Sequence, residues 1–456
     1  MIVSRYTIWV RVDDKYGIYF LLNPLTGAID IADEEPIKIL EQIRSRHEYY
    51  GDLYYYLKER GYIFDNSEEE TRLIEKLLLN HEEYFEREPM TFVIGVTLDC
   101  NYACKYCFQS MIRHKTKENG RNLWNKHKIQ KLFEAIDKII DLKSKQDITH
   151  RVTLFGGGPL LPSLYGTIKT IFDEIKERNL IPYEIITNGY YLLEYVPLLK
   201  EYNVQLIQVT IDGTKEIHNY LRPLRSREGT FEKIVKGIDA ALKNGIEVHL
   251  RVNVNKLNLN NLPDLAKYII EKGWGKNNKF KAFLGLTFPF GTPFKETLEE
   301  DEALREILKL YKKFDTMNVF NLGYWDIVER IISALSTGEP LTPKVTYCGA
   351  NTTTYGFDPY GKIYAYFDAI GMNNCAIGEY YPTFNINRKL EKLWRRTVFD
   401  IPKCKECKYA LLCGGGCCHH TILAGNPLDS PLCPDIEKSL SLTLKGYYKE
   451  HREELI

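Results

Sequence analysis

Strand-like and helical patterns alternate between residues 91 and 288, and this alternation constrains the fold more than any other feature of the 456-residue chain. Apolar runs bounded by turn residues predict strands at residues 91–98, 151–155, 183–187, 205–212, 246–255 and 281–287. Apolar residues at helical spacing predict the helices between them, such as residues 129–142, 165–177 and 231–243. Strict alternation favours an α/β fold with a parallel sheet.

Three cysteines follow the first predicted strand, in the stretch Cys-Asn-Tyr-Ala-Cys-Lys-Tyr-Cys. Cys100, Cys104 and Cys107 therefore share one short loop. Three thiolates on one loop suit an iron–sulfur cluster with one iron left open. A zinc site would need a fourth protein ligand close by, and residues 108–110 supply none. A zinc knuckle or three buried thiols is the alternative.

Composition excludes several classes of function. The chain has 61 basic and 61 acidic side chains, so it has no electrostatic footprint for nucleic acid or an anionic membrane. No run approaches the ~20 apolar residues of a membrane span, and the first residues lack the shape of a signal peptide. We therefore expect a cytoplasmic protein without nucleic-acid or membrane partners, whose 11 cysteines serve as metal ligands rather than disulfides.

The cysteine spacing, with Tyr106 just before the third cysteine, resembles the signature of the radical S-adenosylmethionine (radical SAM) superfamily. The resemblance implies a partial (β/α)6 barrel with its chemistry at the carboxyl ends of the strands. It also implies that Cys100, Cys104 and Cys107 are catalytic and hold a [4Fe–4S] cluster, whose open iron is chelated by S-adenosylmethionine (SAM). An electron from a reducing partner such as ferredoxin or flavodoxin would then cleave SAM to a 5′-deoxyadenosyl radical.

Further motifs resemble the family's SAM-binding positions. The run Phe155-Gly-Gly-Gly-Pro resembles the Gly-Gly-Glu-Pro motif that contacts the methionyl amino group, and it implicates Gly156, Gly157, Gly158 and Pro159. Gly158 replaces the family's glutamate, so backbone carbonyls, another side chain or weaker binding must account for the missing contact. The predicted pocket is completed by Asn188, Thr210, Arg251 and Asn253. For the last two, a polar row on the surface is the alternative.

A second group of cysteines begins at Cys348, and its later spacings of two, five and three residues resemble the SPASM extension or the shorter twitch domain. The resemblance implies two auxiliary [4Fe–4S] clusters, and therefore three clusters in all. The outer one would be held by Cys404, Cys407, Cys413 and Cys433, and the inner one by Cys348, Cys417 and Cys375. Tyr366 stands where the family has a further inner ligand. The inner cluster therefore has an open iron or takes Cys418, and a pair of zinc ribbons is the alternative.

The N-terminal residues 1–88 predict a small winged-helix-like α+β module with a solvated linking helix at residues 67–87. Its pattern resembles the peptide-recognition element of peptide-modifying radical enzymes, where a leader peptide adds as a strand to the small sheet. A simple N-terminal cap is the alternative. The predicted domains are this module, the radical SAM barrel at residues 89–320, and a linker helix with the SPASM domain at residues 321–456.

Together these parts resemble the radical SAM/SPASM maturases of ribosomally made peptides, which implies a precursor peptide with a leader as the partner. A substrate thiolate at an open iron would suit formation of a thioether crosslink. One alternative is a sulfatase-maturase-like dehydrogenase, in which Asp368 would be the catalytic carboxylate although Phe367 occupies the family's position. Epimerisation and carbon–carbon crosslinking are further alternatives. An iron–sulfur scaffold or electron carrier would need no SAM pocket.

Overall fold

The computed structural model describes residues 1–47, 49, 51–110, 112, 123–349 and 352–455. The chain divides into two compact units, each made of separate segments. Unit 1 comprises Met1–Glu86, Trp325–Cys348 and Arg396–Ile456, and unit 2 comprises Arg87–Tyr324 and Gly349–Arg395. The three contiguous domains read from the sequence stay a prediction. None of the described helices is long and apolar enough to span a membrane.

A three-stranded antiparallel sheet opens unit 1, with the order β2 (Ile8–Asp13), β3 (Ile18–Asn23) and β4 (Ala28–Ala32). A separate pair is formed by β1 (Ile2–Val3) and β5 (Ile63–Phe64). The helices described in unit 1 are Glu34–Arg44, Asp52–Glu59, Ser67–Arg87, Asp326–Thr337, Pro402–Lys405, Ala410–Cys413, Cys418–Leu423 and Ile436–Leu455. Asp33 caps the first of these by accepting a hydrogen bond from the backbone of Glu35, which fixes where the helix begins.

The two ends of the chain share one core in unit 1. Tyr6 is fully buried against a cluster that includes Val398, Ile401 and Cys404. Glu70 on the helix Ser67–Arg87 is also buried, and it accepts a hydrogen bond from the Ser4 hydroxyl at 2.7 Å. The prediction of a purely solvated linking helix is therefore wrong at this position, because a long-range partner satisfies the buried carboxylate.

The described strands of unit 2 form a single mixed sheet built around parallel neighbours. Its strands are β6 (Thr91–Thr97), β7 (Arg151–Gly156), β8 (Ile181–Ile186), β9 (Leu206–Thr210), β10 (Glu247–Val254), β11 (Phe280–Leu286), β12 (Phe320–Asn321), β13 (Thr354–Phe357), β14 (Lys362–Tyr364), β15 (Ala376–Glu379) and β16 (Asn385–Ile386). From β6 to β12 the strands are neighbours in chain order and parallel, which confirms the predicted α/β class. β13 adds parallel to the other side of β6, and β14–β16 continue antiparallel.

Helices connect successive parallel strands, as the alternation predicts. The helices described in unit 2 are Lys126–Leu142, Tyr165–Glu177, Leu192–Glu201, Lys215–Leu221, Phe231–Lys243, Leu262–Glu271, Glu300–Lys313 and Arg388–Trp394. β10 shows how the sheet separates its faces: Val248, Leu250, Val252 and Val254 are fully buried. The alternate residues, Glu247 to Asn253, are only half-buried, so one face of this strand is polar.

Candidate functional site

The cysteine loop, residues 100–107, follows β6 and is tied to a distant segment of unit 2. The Ala103 amide donates to the Pro223 carbonyl at 2.8 Å, and the Arg225 amide donates to the Asn101 carbonyl at 2.9 Å. Backbone hydrogen bonds to Pro223 and from Arg225 therefore hold the loop in place. Its geometry depends on residues that lie more than a hundred positions away in the sequence.

The structure brings the three cysteines of this loop together. Burial and the neighbouring Cys107 and Cys100 together raise the pKa of the Cys104 thiol to about 12, against the opposing charge of Arg222. No three His, Cys, Asp or Glu side chains among the described residues form a site for a single metal ion. The thiolates of a [4Fe–4S] cluster each bind a different iron, whereas zinc gathers its ligands around one ion.

A polar network surrounds the Tyr106 hydroxyl. This hydroxyl donates to the Asp212 carboxylate and accepts from Arg222 Nη1 at 2.6 Å and from Asn253 Nδ2 at 3.1 Å. Arg222 Nη1 lies 3.9 Å from the Asp212 carboxylate. Burial raises the pKa of Asp212, and Arg222 opposes this shift. The network holds Tyr106, beside the third cysteine, at the carboxyl ends of β9 and β10.

Arg251 connects this network electrostatically to Asp368. Arg251 Nε donates to Asn253 Oδ1 at 2.8 Å, and both side chains are half-buried on the polar face of β10. Burial raises the pKa of Asp368 to about 6, even though Arg251 and a hydrogen bond from Tyr366 oppose the shift. We call this set, Tyr106, Asp212, Arg222, Arg251, Asn253 and Asp368, the polar network.

A buried histidine fixes the segment that carries Asp212 and Arg222. The Asp212 amide donates to His218 Nδ1 at 3.2 Å, so the neutral ring carries its proton on Nε2, which lies 3.0 Å from Thr230 Oγ1. Thr230 Oγ1 in turn donates to the Arg222 carbonyl at 2.8 Å. Burial lowers the pKa of His218 well below its usual value. Sequence reasoning missed His218 and Arg222, because no local spacing marks them as partners of the cysteine loop.

The glycine turn after β7 packs directly against the chain that leads into the cysteine loop. Gly156 has a φ of 134°, and a Cβ there would meet the Thr97 carbonyl. A Cβ on Gly157 would meet the Asp99 carbonyl. Gly158 donates its amide to that same carbonyl at 2.8 Å, but a Cβ there would make only ordinary contacts. Pro159 is buried after the turn.

Asn188 reaches the cysteine loop from the end of β8. Its Nδ2 donates to Asn101 Oδ1 at 2.8 Å and lies 3.5 Å from Cys100 Sγ. Thr210 is buried at the end of β9 and pairs in register with Arg251 on β10. The structure thus brings the predicted pocket residues to one end of the parallel strands.

Four later cysteines lie together in unit 1. Burial and the neighbouring Cys413, Cys433 and Cys407 together raise the pKa of the Cys404 thiol to about 12. The glycine run 414–416 that follows Cys413 has φ angles of 68°, 83° and 77°. Only glycine adopts this left-handed backbone without cost, so the run lets the chain turn sharply between Cys413 and Cys417.

The remaining predicted ligands are divided between the units. Cys375 belongs to unit 2, where burial raises the pKa of its thiol to about 11. Cys348 and Cys417 belong to unit 1, as does the buried Cys418 at the start of a helix. Tyr366 in unit 2 stacks on Trp394 with ring centroids 6.4 Å apart. An inner cluster on Cys348, Cys375 and Cys417 stays a prediction.

Comparisons with known proteins agree with this geometry. Residues 94–269 match the family model of the radical SAM superfamily. The chain is 23% identical over 399 residues to the radical SAM cyclopropyl synthase TigE of Paramaledivibacter caminithermalis, covering 80% of this chain and 79% of that protein. It is 24% identical over 337 residues to a cysteine-type anaerobic sulfatase-maturating enzyme of Clostridium novyi, covering 70% of this chain and 85% of that protein.

A solved structure extends the similarity of fold over nearly the whole chain. Streptococcus suis SuiB, bound to its precursor peptide SuiA, superposes with a TM-score of 0.51 at 14% identity. The superposition covers 94% of this chain and 98% of that one. With the cysteine loop at the end of the first parallel strand, these matches identify residues 94–269 as a radical SAM region and relate the chain to TigE and to the sulfatase-maturating enzymes.

Proposed function

We propose that this enzyme modifies a ribosomally made precursor peptide by abstracting a hydrogen atom from it. The observation that carries the proposal is the polar network, which runs from Tyr106 beside the cysteine loop to Asp368. It supplies residues for a cofactor at one end and a carboxylate for a substrate at the other. The relationship to maturases, one of which is solved with its precursor peptide, supports a peptide as that substrate.

The residues present fit the cofactors that this chemistry requires. Cys100, Cys104 and Cys107 would hold a [4Fe–4S] cluster, which when bound would supply the electron that cleaves SAM to a 5′-deoxyadenosyl radical. Two donors, Asn101 Nδ2 in this loop and Arg222 Nε in the polar network, are buried without a hydrogen-bond partner. Buried unpaired donors are costly, so they fit a site that an acceptor-rich ligand completes.

The chain's own residues would then position the peptide and move its proton. Because the pKa of Asp368 is about 6, this carboxyl is mostly ionised at neutral pH and can accept a proton. Arg251 keeps a positive charge near it. Phe367, the residue before Asp368, meets Phe155 edge to face, with ring centroids 5.4 Å apart.

For the product we propose a thioether between a peptide cysteine and a carbon of a neighbouring residue. One C–H and one S–H bond break and one C–S bond forms. The hydrogen atom goes to 5′-deoxyadenosine, the thiol proton goes to Asp368, and one electron leaves to a one-electron iron–sulfur acceptor. Tyr366, at the position of a family ligand, supports this choice because it leaves a coordination site for the thiolate in the predicted inner cluster.

A dehydrogenase like the sulfatase-maturating enzymes is the second candidate. It is favoured by the similarity to the Clostridium novyi enzyme and by the position of Asp368 on the polar network. Oxidation of a serine or cysteine side chain also removes two hydrogens from the peptide. Mass alone therefore does not separate the two functions, but the state of the cysteine does.

The test is anaerobic reaction of the reconstituted enzyme with SAM, a reductant and peptides encoded beside its gene. We expect 5′-deoxyadenosine and a peptide that has lost two hydrogens and has one cysteine that no longer alkylates. The variant with Cys100, Cys104 and Cys107 changed to Ala should form neither product. Unchanged SAM cleavage in that variant contradicts the radical mechanism. A product of unchanged mass, or one whose cysteines all alkylate, contradicts the thioether.

A further inference from the structure

The carboxamide of Asn101, in the cysteine loop, has its orientation fixed by its neighbour Asn188. Asn188 Oδ1 accepts from the Tyr190 amide at 3.0 Å, so the other end of that side chain is its donor. That donor, Nδ2, gives its hydrogen bond to Asn101 Oδ1 at 2.8 Å. Asn101 therefore presents its oxygen to Asn188, and its own Nδ2 points elsewhere. This Nδ2 is buried and has no hydrogen-bond partner.

The carboxamide of Asn101 lies next to the position where this chain departs from its family. A Cβ on Gly158 would stand 3.5 Å from Asn101 Oδ1 and 3.5 Å from the Cα of Cys100. A glutamate at residue 158 would thus begin its side chain beside Asn101. Glutamate offers acceptors to an ammonium group, whereas the unpaired atom of Asn101 is a donor. The local chemistry therefore suits an acceptor on the ligand.

We propose that Asn101 Nδ2 donates a hydrogen bond to the methionyl carboxylate of SAM. This chain would then hold the amino-acid end of SAM through its carboxylate, in place of the glutamate contact to the ammonium group. Two features of the site agree: Asn101 Oδ1 lies 4.0 Å from Cys100 Sγ, and Asn188 braces the carboxamide from the other side. The inference rests on SAM binding at the cysteine loop and is independent of which peptide is modified.

The experiment compares two ligands on three forms of the reconstituted enzyme. Affinity for SAM and for decarboxylated SAM is measured anaerobically by calorimetry on the wild type, Asn101→Asp and Asn101→Ala. A hydrogen bond to a charged acceptor predicts that both variants bind SAM at least about tenfold more weakly. The loss should be larger for Asn101→Asp, because a second carboxylate repels the first. Affinity for decarboxylated SAM should hardly change. The ratio of the affinity for SAM to the affinity for decarboxylated SAM should therefore be smaller in both variants than in the wild type.

Controls separate this role from damage to the loop. Asn318→Asp makes the same change at an exposed position outside the cysteine loop, and it should bind SAM like the wild type. The ratio of the two affinities is independent of the fraction of enzyme that carries a cluster, so partial cluster loss does not obscure the result. Equal losses for both ligands, or unchanged SAM affinity, overturn the proposal. A shifted reduction potential of the SAM-free cluster with normal SAM affinity would assign the donor to a cluster sulfide instead.

Discussion

At the scale of single residues, we expect substitution of two adjacent glycines, Gly157 and Gly158, to have different effects on stability. A Cβ on Gly157 would meet the backbone carbonyl of Asp99, which cannot move without displacing Cys100. We expect Gly157→Ala to destabilise the protein by about 2 kcal/mol, since overpacking against backbone forces the chain to shift. Gly158→Ala should change stability by less than about 0.5 kcal/mol. Thermal unfolding of the two variants checks this difference, and equal midpoints would show that the turn adapts.

A second residue, Glu184 on β8, predicts a dependence of stability on pH. Burial alone raises the pKa of this carboxyl to about 7, above its value in the unfolded chain. The folded state then binds the proton of Glu184 more tightly than the unfolded chain does. The protonated carboxyl therefore contributes its full stability below the unfolded pKa, and this contribution is lost as the pH rises towards 7. The loss is at most about 1.4 kcal/mol for each pH unit in that window.

Glu184→Gln should remove this slope, because glutamine stays neutral at every pH. Relative to the wild type, the variant should gain stability steadily between pH 5 and pH 7, measured by denaturant unfolding. Glu177→Gln, at an exposed position on the helix Tyr165–Glu177, is the matched control and should leave the slope unchanged. Parallel curves for the wild type and Glu184→Gln would show that the carboxyl is ionised in the folded protein.

At the scale of elements, the two edge strands of the small sheet in unit 1, β2 and β4, differ in how far other elements cover them. The helix Ile436–Leu455 packs against β2, where the Tyr448 hydroxyl donates to Asp13 at 3.1 Å, and its Tyr447 meets Phe20 on the neighbouring β3 edge to face. If a leader peptide adds to this sheet as a strand, β4 is the edge left for it. Arg60 Nη2 already donates a hydrogen bond to the Ile29 carbonyl on that strand. A bound peptide would therefore either displace Arg60 or pair only with residues beyond Ile29.

Hydrogen exchange tests the edge directly. Adding the precursor peptide should slow exchange of backbone amides in β4, because new strand pairing protects them. Amides of β2 serve as the internal control and should exchange at the same rate with and without the peptide. Protection confined to other parts of the chain would instead indicate that the N-terminal sheet is a structural cap, which is the alternative that the sequence leaves open.

Local elements could be predicted well from the sequence, and long-range pairing could not. The helices Tyr165–Glu177 and Phe231–Lys243 have the predicted bounds, since apolar spacing marks both their buried faces and their ends. The pairing of β13 with β6 left no local signal, because more than half of the chain separates the two strands. Arg222 was missed for the same reason: its partner Tyr106 is 116 residues away.

At the scale of the whole molecule, three predicted clusters imply about twelve irons per chain. Changing Cys404, Cys407 and Cys413 to Ser should remove about four of them. It should also lower the unfolding midpoint, since Cys404 packs in the core that holds Tyr6. Cleavage of SAM without peptide should persist, because the loop at Cys100 is untouched. Iron analysis and 5′-deoxyadenosine assays measure both effects, and full iron retention in this variant would refute the outer cluster.

The position of β13 also has a consequence for synthesis on the ribosome. β6, which leads into the cysteine loop, gains its second neighbour only when residues 354–357 have been made. Until then one side of this buried, apolar strand is an unpaired edge, and such edges attract other chains. Slow translation or truncation before residue 354 should therefore favour aggregation over a partly active enzyme. A chaperone bound to the nascent chain would act during that interval.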